Sequence, residues 1–287
     1  MFDDTSPYET VNGIGLERTN LQRAKGQARC TFKVRDNRTV LDVLGQSGSF
    51  KVRLPKLSVA HAPEAVLLNT AGGLTGGDHM SFTGDVAAGG HAIFTTQAAE
   101  RAYRVLDGNA LVETRLSVEE GGFVEWLPQE TILFDGSRLK RSFDVDLAPG
   151  AKLLAHESVI FGRAAMGETV TSGTFRDVWR VRRNGTLVHA DAVSINGNID
   201  VVLGRAATLN NGKAMSTVLY VAEDALAKLE PVRNVIAHGD ADVGVSAWNG
   251  KLVCRIIAIE GAALRHAVEP ILTTIRNGRA LPRVWHI

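Results

Sequence analysis

The residues at 67–80, LLNTAGGLTGGDHM, place four glycines within six positions after an apolar run, the composition of a loop that wraps a phosphate. Gly72 and Gly77 have the spacing of the first half of a P-loop, but Asp78 and His79 stand where Lys and Ser or Thr belong. A carboxylate there repels the phosphate that the lysine would hold, and no hydroxyl is placed for magnesium. The dinucleotide fingerprint also fails. Its match, Ala71-x-Gly73-x-x-Gly76, runs into DHMSFTGDVAAGGHAIF, which has two further glycine breaks and cannot open the helix that carries a pyrophosphate. The alternative is structural: glycines where strands pack closely. A second candidate chemistry lies in PQETILFDG, where Glu130 and Asp135 could act as the acid and base of a β-rich hydrolase. His79, His91, His156 and His189 show neither H-x-H nor H-x3-H spacing, which argues against a tight metal site made by the protein alone, and His286 sits near the chain end. No G-x-S-x-G elbow or H-E-x-x-H helix occurs.

The elements that must position these residues read as strands. Asn-Gly pairs recur at 184–185, 196–197, 211–212 and 249–250, and such a pair between apolar runs predicts a hairpin because both turn residues need positive φ. In GVSAWNGKLVCRII, Val245 and Ala247 lead in and Leu252, Cys254 and Ile256 lead out at a period of two. In VWRVRRNGTLVHADAV, Trp179 and Val181 alternate with Arg180 and Arg182, giving one dry face and one basic face. Val112, Thr114, Leu116 and Val118 alternate with Glu113, Arg115 and Ser117 before Gly121-Gly122 turns the chain into another short strand. Runs at 28–34, 52–54, 65–68, 91–95 and 152–159 complete a mainly β chain from about residue 28 to about residue 220. Two helices are expected. One spans 222–230 and stops before Pro231. The other spans about 260–277, with Leu264, Val268, Ile271, Leu272 and Ile275 on one face and Gly278 as its cap.

Composition bounds the function. The 32 basic residues nearly balance the 31 acidic ones, so no global positive field is available to hold nucleic acid. Cys30 and Cys254 lie far apart without a C-x-x-C partner, which suits a reducing cytoplasm. No apolar run reaches the roughly 18–20 residues needed to span a bilayer. Residues 1–15 read as a flexible leader, and the absence of a low-complexity linker favours one domain over 1–287.

Five stretches, in order, carry a family resemblance: LLNTAGGLTGGD (67–78), TTQAAERAYR (95–104), WLPQETILFDGSRLKR (126–141), ESVIFGRAAMGE (157–168) and LPRVW (281–285). On them the chain resembles the urease accessory proteins UreD, called UreH in some organisms. The resemblance implies stacked β-sheets in a β-helix-like arrangement with a few helices, one near the C-terminus. It also implies a maturation factor without catalysis of its own, which binds apo-urease, joins UreF and through it the GTPase UreG, and helps nickel reach the urease active site. The GTP would belong to UreG, no cofactor would be permanently bound, and Ni²⁺ would be a transient passenger.

A water-filled path of weak oxygen ligands is implied with this function, and the acids within the matching stretches are its candidates: Asp78, Glu130, Asp135, Glu157 and Glu168. Competing structural readings stand beside them. Asp78 suits a turn, Glu168 a partner for Arg163, and Glu130 and Asp135 solvated strand ends. If the protein is instead a pure adaptor with no nickel contact, Trp126, Arg283 and Trp285 are the candidate partner anchors, with core packing as the alternative.

Overall fold

The computed structural model describes residues 23–56, 61–163, 166–236, 239 and 241–286. The leader expected at 1–15 lies outside the described residues. The mainly β expectation holds, in the form of a β-solenoid of about 4 turns with a C-terminal helix.

Chain reversal alternates between two facing sheets. The first contains β1 (Lys25–Arg35), β2 (Arg38–Gly48), β5 (His79–Val86), β8 (Ala110–Val118), β11 (Arg138–Leu147), β13 (Gly173–Arg183) and β14 (Thr186–Gly197), in the order β14-β13-β11-β8-β5-β1-β2. The second contains β3 (Phe50–Arg53), β4 (Glu64–Asn69), β6 (His91–Thr96), β9 (Phe123–Leu127), β12 (Lys152–Phe161), β15 (Ala214–Val221), β16 (Ala241–Trp248) and β17 (Lys251–Ala258), in the order β16-β17-β15-β12-β9-β6-β4-β3. The inner strands of both sheets pair in parallel with the coil before and after them, so each ladder joins segments distant in sequence. Apolar side chains at a period of two then fill the space between the sheets, where Phe82, Phe94, Trp126, Phe143 and Trp179 form a chain of ring contacts.

One side of the solenoid turns tightly. Residues 87–90, 119–122 and 148–151 carry the chain from the first sheet to the second as stacked four-residue corners. The third position of each is a glycine at positive φ: Gly89 (65°), Gly121 (64°) and Gly150 (68°). The corners bond to each other, with Gly89 N–H donating to Glu120 O at 2.9 Å and Gly121 N–H to Pro149 O at 3.3 Å. The opposite side turns through long corners, and these carry the first four of the five family stretches. There a short third ladder forms from β7 (Glu100–Ala102), β10 (Thr131–Leu133), the end of β12 and a bridge at Leu74. Leu74, Ala102, Leu133 and Phe161 stack in register along it, all buried.

The hairpins expected at Asn184-Gly185 and Asn249-Gly250 join β13 to β14 and β16 to β17. The other two Asn-Gly pairs do not join paired strands. Asn196-Gly197 ends β14, and Asn211-Gly212 closes the loop between α1 (Ile199–Leu203) and β15, with Asn210 and Asn211 both at positive φ. The helix expected at 222–230 is corrected. Residues Glu223–Lys228 form a 3₁₀ turn, and α2 (Leu229–Val235) begins after it and carries Pro231 inside its first turn. Proline is accepted there because the first turn of a helix has no intrahelical partner for its N–H. The long helix α3 (Gly261–Ile275) buries the five residues expected on its apolar face against the outer side of the second sheet.

Candidate functional site

The first three long corners and the strands beside them line a cavity of about 350 Å³. The glycine stretch supplies Leu67, Leu68, Asn69, Thr70, Gly72 and Leu74, the second stretch Thr96 to Arg101, the third Trp126, Pro128, Gln129, Thr131, Leu139 and Arg141, and the fourth Glu157. The walls are mostly apolar, interrupted by amide and hydroxyl oxygens and by two carboxylates, Glu100 and Glu157.

Glu157 lies on β12 and is the one sequence-predicted acid that lines this cavity. Its Oε1 accepts from the Trp126 indole N–H at 3.0 Å, and its Oε2 contacts Arg141 Nη1. Arg141, on β11, is equally buried and reaches Asp177 on β13 through Nη2 at 2.5 Å. Its Nη1 donates to Thr131 Oγ1 at 3.1 Å, and its guanidinium lies 5.2 Å from the Phe175 ring centroid. One guanidinium thus serves two carboxylates from facing sheets. Burial pushes the Glu157 carboxyl up from its ordinary value, with Arg141 opposing the shift. The Arg141 guanidinium is disfavoured by burial, but Asp177 and Glu157 hold its pKa above the ordinary arginine value. Arg141 Nε and Asp177 Oδ1 are buried without a hydrogen-bond partner.

Glu100 accepts from Asn69 Nδ2 at 3.1 Å and from Arg101 N–H at 2.9 Å. Burial raises its carboxyl too, against those two bonds. Sequence reading passed over Glu100, Arg141 and Asp177. The first two lie inside quoted stretches, so their position was available, but the packing that brings them to one cavity with Glu157 was not. Asp177 carried no signal beyond an acid on an otherwise dry strand face.

The other predicted acids serve the loops that hold the cavity. Asp78 is buried, its Oδ1 accepting from Ala24 N–H at 2.7 Å and its Oδ2 from Thr75 N–H at 2.8 Å, which ties the glycine turn to the start of β1. Glu130 takes both Nε and Nη2 of Arg265 from α3, the latter at 2.9 Å. Asp135 accepts from the N–H groups of Thr171 and Ser172 at 2.8 and 2.9 Å and from Arg104 at 2.5 Å. Burial pushes the Asp135 carboxyl up, but these bonds outweigh it and hold the group below the usual range. Glu168 is likewise lowered, chiefly by its bond from Arg163 Nε at 2.9 Å. Glu130 and Asp135 are each occupied by protein donors and do not line the cavity.

The aromatic candidates divide. Trp126 lines the cavity and Trp285 is buried, its indole N–H donating to Leu127 O at 3.1 Å beside His156. Arg283 is exposed. The closing LPRVW stretch is therefore seated on the PQET corner, where Gln129 Nε2 donates to Val284 O at 3.0 Å and Arg265 Nη1 to Trp285 O at 3.0 Å. His156 is held neutral, its pKa pushed down to about 3 by burial.

The glycine loop has a steric explanation. A Cβ on Gly73 (φ +150°) would lie 2.2 Å from Tyr103 Cε2 and 2.9 Å from Arg101 O, and one on Gly76 would lie 2.0 Å from Asp107 O. These glycines admit the next coil against the loop, which is the structural alternative to phosphate binding. Among the described residues no cluster of three His, Cys, Asp or Glu side chains could hold a metal ion.

A family model for the UreD urease accessory protein matches residues 24–286, which includes all five stretches and every wall of the cavity. The chain belongs to the UreD family of urease accessory proteins. Among curated relatives named urease accessory protein UreD, that of Sinorhizobium medicae is 45% identical over 267 residues, covering 92% of this chain and 96% of its own. That of Mesorhizobium japonicum is 45% identical over 268 residues, covering 93% and 95%. That of Rhizobium leguminosarum bv. viciae is 44% identical over 269 residues, covering 94% and 97%. Membership in the UreD family gives the chain a role in urease maturation. Among the described residues no helix is long and apolar enough to cross a membrane.

Proposed function

We propose that this UreD chain works as a scaffold in the cytoplasm that binds apo-urease, joins UreF and through it the GTPase UreG, and offers its cavity as a stage on the nickel route to the urease active site. The observation that carries the reading is the convergence of four separate stretches on one cavity containing Glu100 and Glu157. Nickel is the cargo here. Its passage requires ligands that bind and let go, and the donors available are two carboxylates with the neutral oxygens of Asn69, Thr96, Gln97, Gln129 and Thr131. Such a set fits transit because among the described residues no three strong ligands converge to trap the ion. Nucleotide hydrolysis is left to UreG, consistent with a glycine loop filled by its own neighbours.

Glu157 and Glu100 are the acids this reading uses first. Asp78, Glu130, Asp135 and Glu168 would have to surrender protein bonds to act on the route, and their nearer role is to hold the corners in place. The test is complementation of a strain carrying the urease gene cluster but lacking this gene, with wild type or with Glu100→Gln plus Glu157→Gln, reading nickel content of purified urease and recovery of the accessory complex. Complex formed but urease unloaded supports the route. Full loading by the double variant supports the pure adaptor, and active urease in the deletion strain itself would remove the maturation role.

A further inference from the structure

A buried guanidinium is an odd neighbour for a cation route. Arg141 borders the cavity with only 8% of its side chain exposed, and it contacts Glu157 and Asp177, whose side chains are 10% and 9% exposed. As a fastening for the sheets the triad is a poor choice, since apolar side chains of similar volume often hold a core as well or better. Nor is the triad saturated: Arg141 Nε and Asp177 Oδ1 lack partners. Fixed polar networks normally satisfy such atoms. An arrangement with two carboxylates for one guanidinium instead leaves room for exchange.

The partners on each side favour a particular exchange. Glu157 lines the cavity, whereas Asp177 does not and is backed by the Trp179 indole N–H at 3.3 Å. Asp177 can therefore keep the guanidinium while Glu157 turns to another cation. Trp126 N–H holds the second Glu157 oxygen at 3.0 Å and so keeps the carboxylate at the cavity wall in either pairing. Arginine does not deprotonate in proteins, so the exchange is one cation for another with no proton released.

Resting on the nickel-route reading above, we infer that Arg141 is a displaceable counter-cation: it neutralises Glu157 when the cavity is empty and yields that carboxylate to an entering divalent ion while staying paired with Asp177. Competition with Arg141 makes the site weak and makes it reset when the ion leaves. Glu157 is then never a bare buried carboxylate, whose desolvation would otherwise be costly.

The test is Ni²⁺ binding to the purified full-length chain by equilibrium dialysis, with the fold checked by circular dichroism. Arg141→Gln frees Glu157 and is expected to bind Ni²⁺ roughly tenfold tighter or more, tenfold being the factor carried by about 1.4 kcal/mol. Adding Glu157→Gln to that variant is expected to cancel the gain. Asp177→Asn works in the opposite direction on a chain that keeps its guanidinium: Arg141 then belongs to Glu157 alone, and Ni²⁺ binding weakens. A folded Arg141→Gln chain with unchanged or weaker binding overturns the inference. If Arg141→Gln does not fold, unchanged binding in Asp177→Asn overturns it instead. The single Glu157→Gln variant separates the two levels. Loss of Ni²⁺ binding there, without a gain in Arg141→Gln, leaves the route intact and removes the counter-cation, whereas wild-type Ni²⁺ binding in Glu157→Gln overturns the counter-cation, and full urease activation by Glu100→Gln plus Glu157→Gln removes the route itself.

Discussion

Replacing Arg276 with methionine should loosen the C-terminal helix from the solenoid. Arg276 follows α3 and is 3% exposed. Its Nε lies 2.5 Å from Glu125 Oε2 on β9, and its Nη1 donates to the carbonyls of Arg279 and Ala280. Glu125 has no exposed surface. Removing one member of a buried ion pair costs about 3–5 kcal/mol because the other charge is left without compensation. Here His91 Nε2 at 2.8 Å and Arg279 Nη2 at 3.6 Å remain beside the carboxylate, so the cost belongs at the lower end, about 3 kcal/mol. Urea unfolding of wild type and Arg276→Met measures it. The double variant Arg276→Met with Glu125→Leu removes both charges and should recover most of the loss. A single-variant cost below about 1 kcal/mol would show that the pair does not fasten the helix.

The same carboxylate sets a pH dependence. Burial pushes the Glu125 carboxyl up, but the bond from His91 and the charge of Arg276 outweigh it, so its folded value lies below the ordinary one. A lowered acid stabilises the fold above its unfolded value of about 4.3 and loses that contribution as pH falls through the folded value. Wild-type stability should therefore drop through the acidic range with a steeper slope than that of Glu125→Gln. Equal slopes in urea titrations at several pH values would refute the assignment.

Three further outcomes follow from named contacts. Gly73→Ala should destabilise the chain measurably in thermal melts, because its Cβ would meet Tyr103 and Arg101 O, while nucleotide binding stays absent in wild type and variant alike by fluorescent-nucleotide titration. Trp285→Ala should cost about 3–5 kcal/mol in urea unfolding, the usual range for deleting a large buried aromatic; near-neutral stability with lost partner binding would instead make it a docking anchor. Cys30 and Cys254, both buried with thiol pKa values pushed up to about 12 by burial, should resist a thiol-specific reagent in the native state at pH 8 and react only in denaturant.

Much of this fold is written locally. The alternations at Trp179/Val181, Leu252/Cys254/Ile256 and Leu116/Val118, and the apolar stripe of α3, match the buried faces observed because each depends on one segment's own period. The Asn-Gly pairs were less reliable: the same residues that close a hairpin also supply positive φ at a strand end or in a loop, as at Gly197 and Asn211. A signal for the coils was present and unread. The segments AAGG, EEGG and APGA share a glycine at the third place, and that glycine makes each stacked corner at positive φ. Such a recurrence is short and degenerate, but its period marks the solenoid.

The site was legible in its residues and hidden in its pairing. Glu157 could be chosen because it opens a distinctive stretch, yet nothing within ESVIFG indicates that Arg141, on the strand before it, and Asp177, on the strand after it, close around it from the facing sheet. That arrangement comes from β11 pairing with β13 in parallel, which sets Arg141 opposite Asp177, and from the facing sheet that carries Glu157 on β12. A parallel solenoid turns a string of separate motifs into a stack. Acids at turn positions such as Asp78, Asp135 and Glu168 then bond the corners, while an acid pointing between the sheets, such as Glu157, meets the charges of the facing sheet. Which acids can meet a cation is therefore decided less by which motif they occupy than by whether their side chain faces the corner or the cavity.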